Sequence, residues 1–237
     1  MMMEAVDDGL RIMIYDETDI RGWARALKDA KEYTPGPVDD ALDYLVEELD
    51  LELGLSTSWW AGGKLFRTLR RLDHMRGFNN WPSALRWIAD LEPTRPIKEI
   101  QFWGHGSPGK VWILQKAMTA LAFKYAPHRD PLMRIKTRLT DESLIWFRTC
   151  STFCGTRGQA FAQTWADNMG CRIAAHTYII GPFQSGLHSV GPGEKPMWPD
   201  TEGIAEGTPD RILKARWSMP WSPNTIFALQ SHKPRKW

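Results

Sequence analysis

The chain has 237 residues, with 30 basic against 28 acidic side chains and a hydrophobic fraction of 43%. That length buries a full core and lies at the upper end of what one core spans, and the composition is that of a globular protein, not a disordered or fibrous one. A net charge of +2 gives no chain-wide field for nucleic acid or anionic lipid, so neither is an expected partner.

Met1 to Asp8 carries acidic residues and lacks the charged start and apolar run of a signal peptide. No apolar run approaches the roughly 20 residues that span a bilayer. Leu10 to Tyr15 alternates and is predicted to be a first strand; Asp16, Glu17 and Thr18 then cap a helix through Trp23, Ala26, Leu27 and Ala30. Pro35, Gly36 and Pro37 break it, and Val38, Leu42, Leu45, Val46 and Leu49 recur at helical spacing. Helical patterns continue through Leu65, Leu69 and Leu72, and again after Pro82 and Ser83 through Leu85, Trp87, Ile88 and Leu91, with a turn at Gly77 to Asn80 between them.

Ile97 to Trp103 reads as a strand that runs into the turn Gly104-His105-Gly106-Ser107-Pro108-Gly109, with a short strand over Val111 to Leu114. A helical connection over Met118 to Leu139 leads to Ser143 to Phe147, a nearly continuous apolar run expected of a strand covered on both faces. That strand delivers Arg148, Thr149 and Cys150. A helix opens at Gly155 to Gly158 and stops at Gly170, and Cys171 to Ile180 reads as a further strand. Strand, helix, strand in this order predicts parallel pairing with right-handed crossovers. Gly and Pro crowd residues 181–209, a long loop of the kind that carries function. Arg211 to Trp217 and Thr225 to Gln230 are final short elements of either kind, and Lys233, Arg235 and Lys236 form a basic, solvated tail. The 13 tryptophans fit core packing better than a carbohydrate-stacking surface, because Trp23, Trp59, Trp87, Trp146 and Trp165 fall within apolar patterns. No linker divides the chain, so one α/β domain over 1–237 is expected: a three-layer sandwich with a mostly parallel sheet and helices on both faces.

The ends of parallel strands converge on one rim where ligands bind, and His105 and Cys150 each follow such a strand. A thiol needs an imidazole or a helix amino terminus nearby to act as a nucleophile at neutral pH. The amide of Gly106 is placed to help hold an oxyanion. Three cysteines, Cys150, Cys154 and Cys171, are an odd set that argues against a disulfide framework and for a reducing, cytoplasmic setting.

These motifs resemble the caspase, gingipain and clostripain group of cysteine peptidases, in which a strand plus His-Gly is followed one βα unit later by a strand plus Cys. The separation of His105 and Cys150 is comparable with the roughly 50 residues of caspases. A more specific likeness is to a bacterial caspase-like domain of unknown function, carried by His105 to Gly109, Thr149-Cys150, Gly158-Gln159-Ala160-Phe161 and Ile173-Ala174-Ala175. The resemblance covers about 97–181 and implies a caspase-like fold, Cys150 as nucleophile, His105 as base or orienting imidazole, and a protein or peptide substrate with no cofactor. His176, Thr177, Gln184 and Ser185, in the strand and loop after the nucleophile, would select the substrate. Arg148-Thr149-Cys150-Ser151-Thr152 departs from the caspase pattern Gln-Ala-Cys-x-Gly, so a preference for aspartate is not implied.

Other readings stay open. Cys150, Cys154, His105 and His176 can be combined into a tetrahedral zinc set, although the Cys-x-x-x-Cys spacing is unusual for one. His105-Gly106-Ser107-Pro108-Gly109 and His188-Ser189 outline a serine hydrolase, but the leading glycine of a nucleophile elbow is missing. A third reading is an inactive binding or scaffold domain that keeps the fold and tolerates loss of Cys150.

Overall fold

The computed structural model describes residues 9–19 and 54–228. The two helices expected between Trp23 and Leu49 and the basic tail lie outside them. In chain order the elements are β1 (Leu10–Asp16), α1 (Leu55–Thr68), β2 (His74–Phe78), α2 (Trp81–Asp90) and β3 (Ile97–Trp103). A small meander follows, β4 (His105–Ser107), β5 (Lys110–Ile113) and β6 (Lys116–Met118), then a 3-10 turn (Ala120–Lys124) and α3 (Ala126–Lys136). The chain continues through β7 (Leu139–Arg148), α4 (Gly155–Met169), β8 (Arg172–His176), β9 (Phe183–Gln184), β10 (Leu187–Val190), β11 (Ile204–Gly207), β12 (Ile212–Ala215) and β13 (Ile226–Phe227).

Six strands form the central sheet in the order β10-β8-β7-β3-β1-β2. All neighbours are parallel except β10, which runs antiparallel to β8. The expected α/β architecture with a mostly parallel sheet is therefore present. Alternation along the strands sorts the side chains onto two faces. Ile12, Ile14, Phe102, Ile145, Phe147 and Ile173 join the large core beneath α2, α3 and α4. Met13 and Trp103 face the other way and meet Phe66 of α1. Each such aliphatic or aromatic side chain withdrawn from water contributes about 1.5–3 kcal/mol.

Local signals set the helices. In α2, Asn80 accepts a hydrogen bond from the Ser83 amide at 2.9 Å, Pro82 pre-sets the first turn, and Trp81, Ala84, Leu85, Ile88 and Ala89 recur at helical spacing on the buried face. In α1, Gly62 permits a close approach to the sheet: a Cβ there would lie 2.7 Å from the Trp103 ring. Gly170, left-handed at φ 69°, closes α4 where the sequence places its stop.

Three expectations change. α1 stops at Thr68, short of the helical pattern's end at Leu72, and β2 takes in the first two residues of the turn expected at Gly77 to Asn80; as an edge strand it buries only Gly77 and Phe78, so it lacks apolar alternation. The connection before β7 is helical only in part, since β6 and a 3-10 turn precede α3. The stretch 181–209 is built into the fold, with β9, β10 and β11 within it. Among the described residues, no helix is long and apolar enough to cross a membrane.

Candidate active site

The order of strands places the site. From β1 the chain goes to β2 on one side and then to β3 on the other, so the topological switch point lies between β1 and β3, where open α/β sheets bind ligands. Trp103 of β3 is in register with Arg148 of β7, and His105 and Cys150 each follow two residues later. The third contributor is Asp19, just past the end of β1. Its carboxylate lies 2.7 Å from His105 Nε2.

The chain past β1 is shaped by Asp16, which is buried and accepts from the Thr18 amide and hydroxyl at 2.9 and 2.6 Å and from the Leu114 amide at 3.1 Å. The Ser56 amide then donates to the Asp19 carbonyl at 3.1 Å, tying this turn to the start of α1. From α1, Trp59 packs edge-on against the His105 ring, with centroids 5.4 Å apart. The imidazole is thus held on one nitrogen and one face while its side chain stays 43% exposed, open to a substrate. A carboxylate only accepts, so the bond to Asp19 puts the proton on Nε2 and leaves Nδ1 as the basic nitrogen.

Cys150 sits in a turn locked from several sides. The Ser151 and Phe153 amides donate to the Tyr178 and His176 carbonyls at 2.8 and 3.0 Å, and Gly109 N–H donates to Thr152 O at 3.0 Å. Ser151 holds a left-handed φ of 46°, a conformation that a non-glycine residue adopts only when its surroundings impose it. The β4–β5 hairpin lies directly on this turn: a Cβ on Gly106 would come 2.5 Å from the Cys150 carbonyl oxygen. Gly106 therefore lets the His105 strand lie against the Cys150 turn, in addition to the oxyanion role expected of its amide.

The thiol itself is half-buried, and burial pushes its pKa up from the ordinary thiol value. Cys150 Sγ lies 3.8 Å from the Ile180 carbonyl, and no hydrogen bond joins it to His105. In the first turn of α4, the Thr156 amide and hydroxyl donate to the Pro209 carbonyl at 3.2 Å. Burial therefore favours the thiol over the thiolate. Cys154 and Cys171 are buried and pushed up to about 12, mainly by burial. Iodoacetamide is accordingly expected to alkylate Cys150 alone in the native protein, at a rate that keeps rising above pH 9. Peptide mapping by mass spectrometry checks this, and labelling of Cys154 or Cys171 at a similar rate would contradict it.

Residues 81–188 match the family model of DUF4347, a domain of unknown function. The DUF4347 match begins at α2 and ends within β10, somewhat less than half of the chain, and it includes His105 and Cys150 but not Asp19 or Trp59. No curated protein and no solved structure gives a significant match.

The four side chains expected to select a substrate lie in the interior. His176 is fully buried, with Nδ1 3.1 Å from the Ser185 carbonyl. Thr177 donates to Glu202 at 2.7 Å, Gln184 accepts from Arg148 at 2.8 Å, and Ser185 Oγ lies 2.7 Å from Thr225 Oγ1. Each has an internal partner, so none is presented to a ligand; the strands past 181 cover what the sequence leaves as an open loop. The zinc reading has no support, since no three His, Cys, Asp or Glu side chains converge as metal ligands among the described residues. The serine pairs fare no better: Ser107 accepts from Trp112 at 3.2 Å, and His188 pairs with Glu202 at 2.7 Å instead of with Ser189.

Arg148, two residues before Cys150, is 3% exposed and stacks on Trp103 and Trp146, 4.4 and 4.5 Å from their ring centroids. Burial pushes its pKa down to about 9. It closes the floor beneath the Cys150 turn by donating to Gln184 and to the Ala228 carbonyl.

Glu202 is the anchor of the long segment after 181. Burial works to raise its carboxyl, and hydrogen bonds from His188 and Thr177 outweigh that and hold it below the usual carboxylate range. Its backbone carbonyl lies 3.3 Å from Cys154 Sγ, and His188 stacks on Trp198, which stacks on Phe153. Removing one partner of a buried pair leaves the other uncompensated. Glu202→Ala is expected to cost about 3 kcal/mol and to lower Tm by roughly 10 °C, read by differential scanning calorimetry. A depressed carboxyl stabilises above its unfolded pKa and loses that contribution as pH falls through the folded one, so the difference between wild type and variant should narrow at acid pH.

Proposed function

We propose that this chain is a cysteine peptidase in which Cys150 is the nucleophile, His105 the general base and Asp19 the group that orients the imidazole. The observation that carries the reading is the 2.7 Å contact between Asp19 and His105 Nε2 at the switch point of the sheet, one strand away from a reactive-type residue in a constrained turn. In this scheme His105 Nδ1 takes the thiol proton as the sulfur attacks a peptide carbonyl. The thioester forms as the leaving amine takes that proton, and water then releases the acid. A resting thiol with a raised pKa fits a mechanism in which substrate binding brings sulfur and imidazole together. The resemblance to caspase-type peptidases carried by His105-Gly106 and Thr149-Cys150 supports the same assignment.

A second reading, a binding domain that keeps the fold without catalysis, is favoured by the thiol facing the Ile180 carbonyl instead of the imidazole. Incubation of the full chain with a proteome-derived peptide library, with Cys150→Ala as control, separates the two. Cleavages present in the wild type and missing from the variant support the peptidase; identical digests for both favour the binding domain.

A further inference from the structure

The meander of β4, β5 and β6 turns one face to the core and the other to solvent, as alternation along a strand requires. Val111, Ile113 and Met118 are buried, and Gly106 lies on the Cys150 turn. The outward face carries His105 and Ser107 of β4 opposite Trp112 and Lys110 of β5. Contacts on this face agree with that sorting: Trp112 Nε1 donates to Ser107 Oγ at 3.2 Å, and Lys110 Nζ lies 5.7 Å from the centroid of the Trp112 ring. Trp112 is the cross-strand neighbour of the imidazole, so a half-buried aromatic surface begins beside the candidate base.

Beyond Trp112 the face runs into a cleft of about 180 Å³, bounded by the tip of the β4–β5 hairpin, the first turn of α4 and the chain entering β12. Lys110, Arg157 and Arg211 line it, with Asp210 the carboxylate among its lining residues. Asp210 accepts from the Thr156 hydroxyl at 2.9 Å. None of the three cations is held in an ion pair among the described residues. Three cations against one carboxylate leave the cleft net positive, which selects an anionic group. The Ser107–Lys110 pair stands two residues along the strand from the His105–Trp112 pair, about 7 Å away, which is also the spacing of alternate side chains in an extended peptide.

We infer that the leaving half of the substrate peptide runs along this face, Trp112 forming its floor, and that Lys110, Arg157 and Arg211 receive an acidic side chain at the second or third position after the scissile bond. The direction of the peptide rests on the peptidase reading: His105 hands its proton to the leaving amine, so the leaving half lies on its side. The charge of the cleft does not rest on that reading.

Two measurements on the full chain test the inference. Cleavage of a peptide library is expected to enrich Asp and Glu at the second and third positions after the cleaved bond and to disfavour Lys and Arg there. A double variant, Arg157→Glu with Arg211→Glu, changes two exposed positions and should reverse that preference, read as kcat/KM. Calorimetric titration with the amidated peptides Ala-Glu-Glu-Ala and Ala-Lys-Lys-Ala, product-like in their free amino ends, reads the cleft without catalysis. The acidic peptide should bind about ten-fold tighter, the worth of two or three exposed ion pairs, and the double variant should invert the order. Binding that prefers the acidic peptide without any cleavage would support the cleft and overturn the peptidase reading. Cleavage with no charge preference after the bond, equal affinity for the two peptides, absence of saturable binding, or an order unchanged in the double variant would each overturn the inference. Arg157→Glu adds an acid to the first turn of α4, where the helix dipole favours one; a thermal melt reads whether the double variant is folded, and the charge comparison on the wild type stands without it.

Discussion

Replacing Cys150 by alanine is expected to abolish peptide cleavage, and replacing His105 by alanine to lower kcat by 10²–10⁴-fold, the range that a positioned general base contributes. The two losses should not add, because a base without its nucleophile has nothing to activate; the double variant is expected to match Cys150→Ala. Asp19→Asn tests the third member. An amide in place of the carboxylate can donate to Nε2, which favours the proton on Nδ1 and removes the basic lone pair that the scheme needs to take the thiol proton. A fall in kcat with little change in KM is expected, with recovery in Asp19→Glu to the extent that the longer side chain reaches the ring. Steady-state kinetics on a substrate from the peptide library reads all four variants. An Asp19→Asn protein as active as the wild type would remove the orienting role, and an active Cys150→Ala protein would remove the mechanism.

Acid is expected to loosen the fold through His176 before it titrates ordinary carboxylates. Burial pushes this imidazole down to about 3, with the nearby charges of Arg148 and His188 acting in the same direction against the hydrogen bond to Ser185. A histidine free in the unfolded chain titrates near 6.5. Because the folded value is the lower one, the neutral form is the one the fold holds; the contribution is complete above pH 6.5 and is surrendered as pH falls from there toward 3. Between pH 7 and 4.5 this amounts to about 2.5 kcal/mol. Urea unfolding at the two pH values should show that loss in the wild type. His176→Asn, whose amide can still donate to the Ser185 carbonyl, should lose clearly less. Equal losses in both proteins would mean that the imidazole is hydrated in the folded state. The effect reaches the site, since the His176 carbonyl holds the Phe153 amide in the turn that follows Cys150.

Much of the framework is legible in the residues. Ile97–Trp103 and the apolar run ending at Phe147 announce two strands buried on both faces, and Gly170 marks the end of α4. From these, a parallel sheet with His105 and Cys150 at neighbouring strand ends follows, and the structure has that sheet. β2 escapes because an edge strand needs only one buried end, and His74-Met75-Arg76 carry no period. β4 and β6 escape because three-residue strands beside turn residues read as turns, whereas β5 lies where Val111 to Leu114 reads as a strand.

Asp19 is the instructive omission. It stands beside Asp16 and Glu17 in what the sequence presents as a helix-capping cluster, and nothing local separates a cap from a partner of the His105 imidazole. What separates them is that β1 lies next to β3, a pairing between residues far apart in the chain. The signal available was positional: an acidic side chain just beyond the first parallel strand, where a switch point is commonly found. His176, Thr177, Gln184 and Ser185 fail in the opposite sense. Their polarity reads as exposure, while the fold buries all four and gives each an internal partner, with the segment 183–228 folded back over them.

The most direct test is covalent trapping with peptidyl acyloxymethyl ketones, which react only when a nucleophile and its base are presented to a bound peptide. The adduct is mapped by mass spectrometry for the wild type and for His105→Ala. The catalytic account predicts one thioether, on Cys150, formed at neutral pH at least a hundred-fold faster with His105 than without it. Failure to label Cys150, or equal labelling in the two proteins, would contradict it and leave the binding domain as the better description.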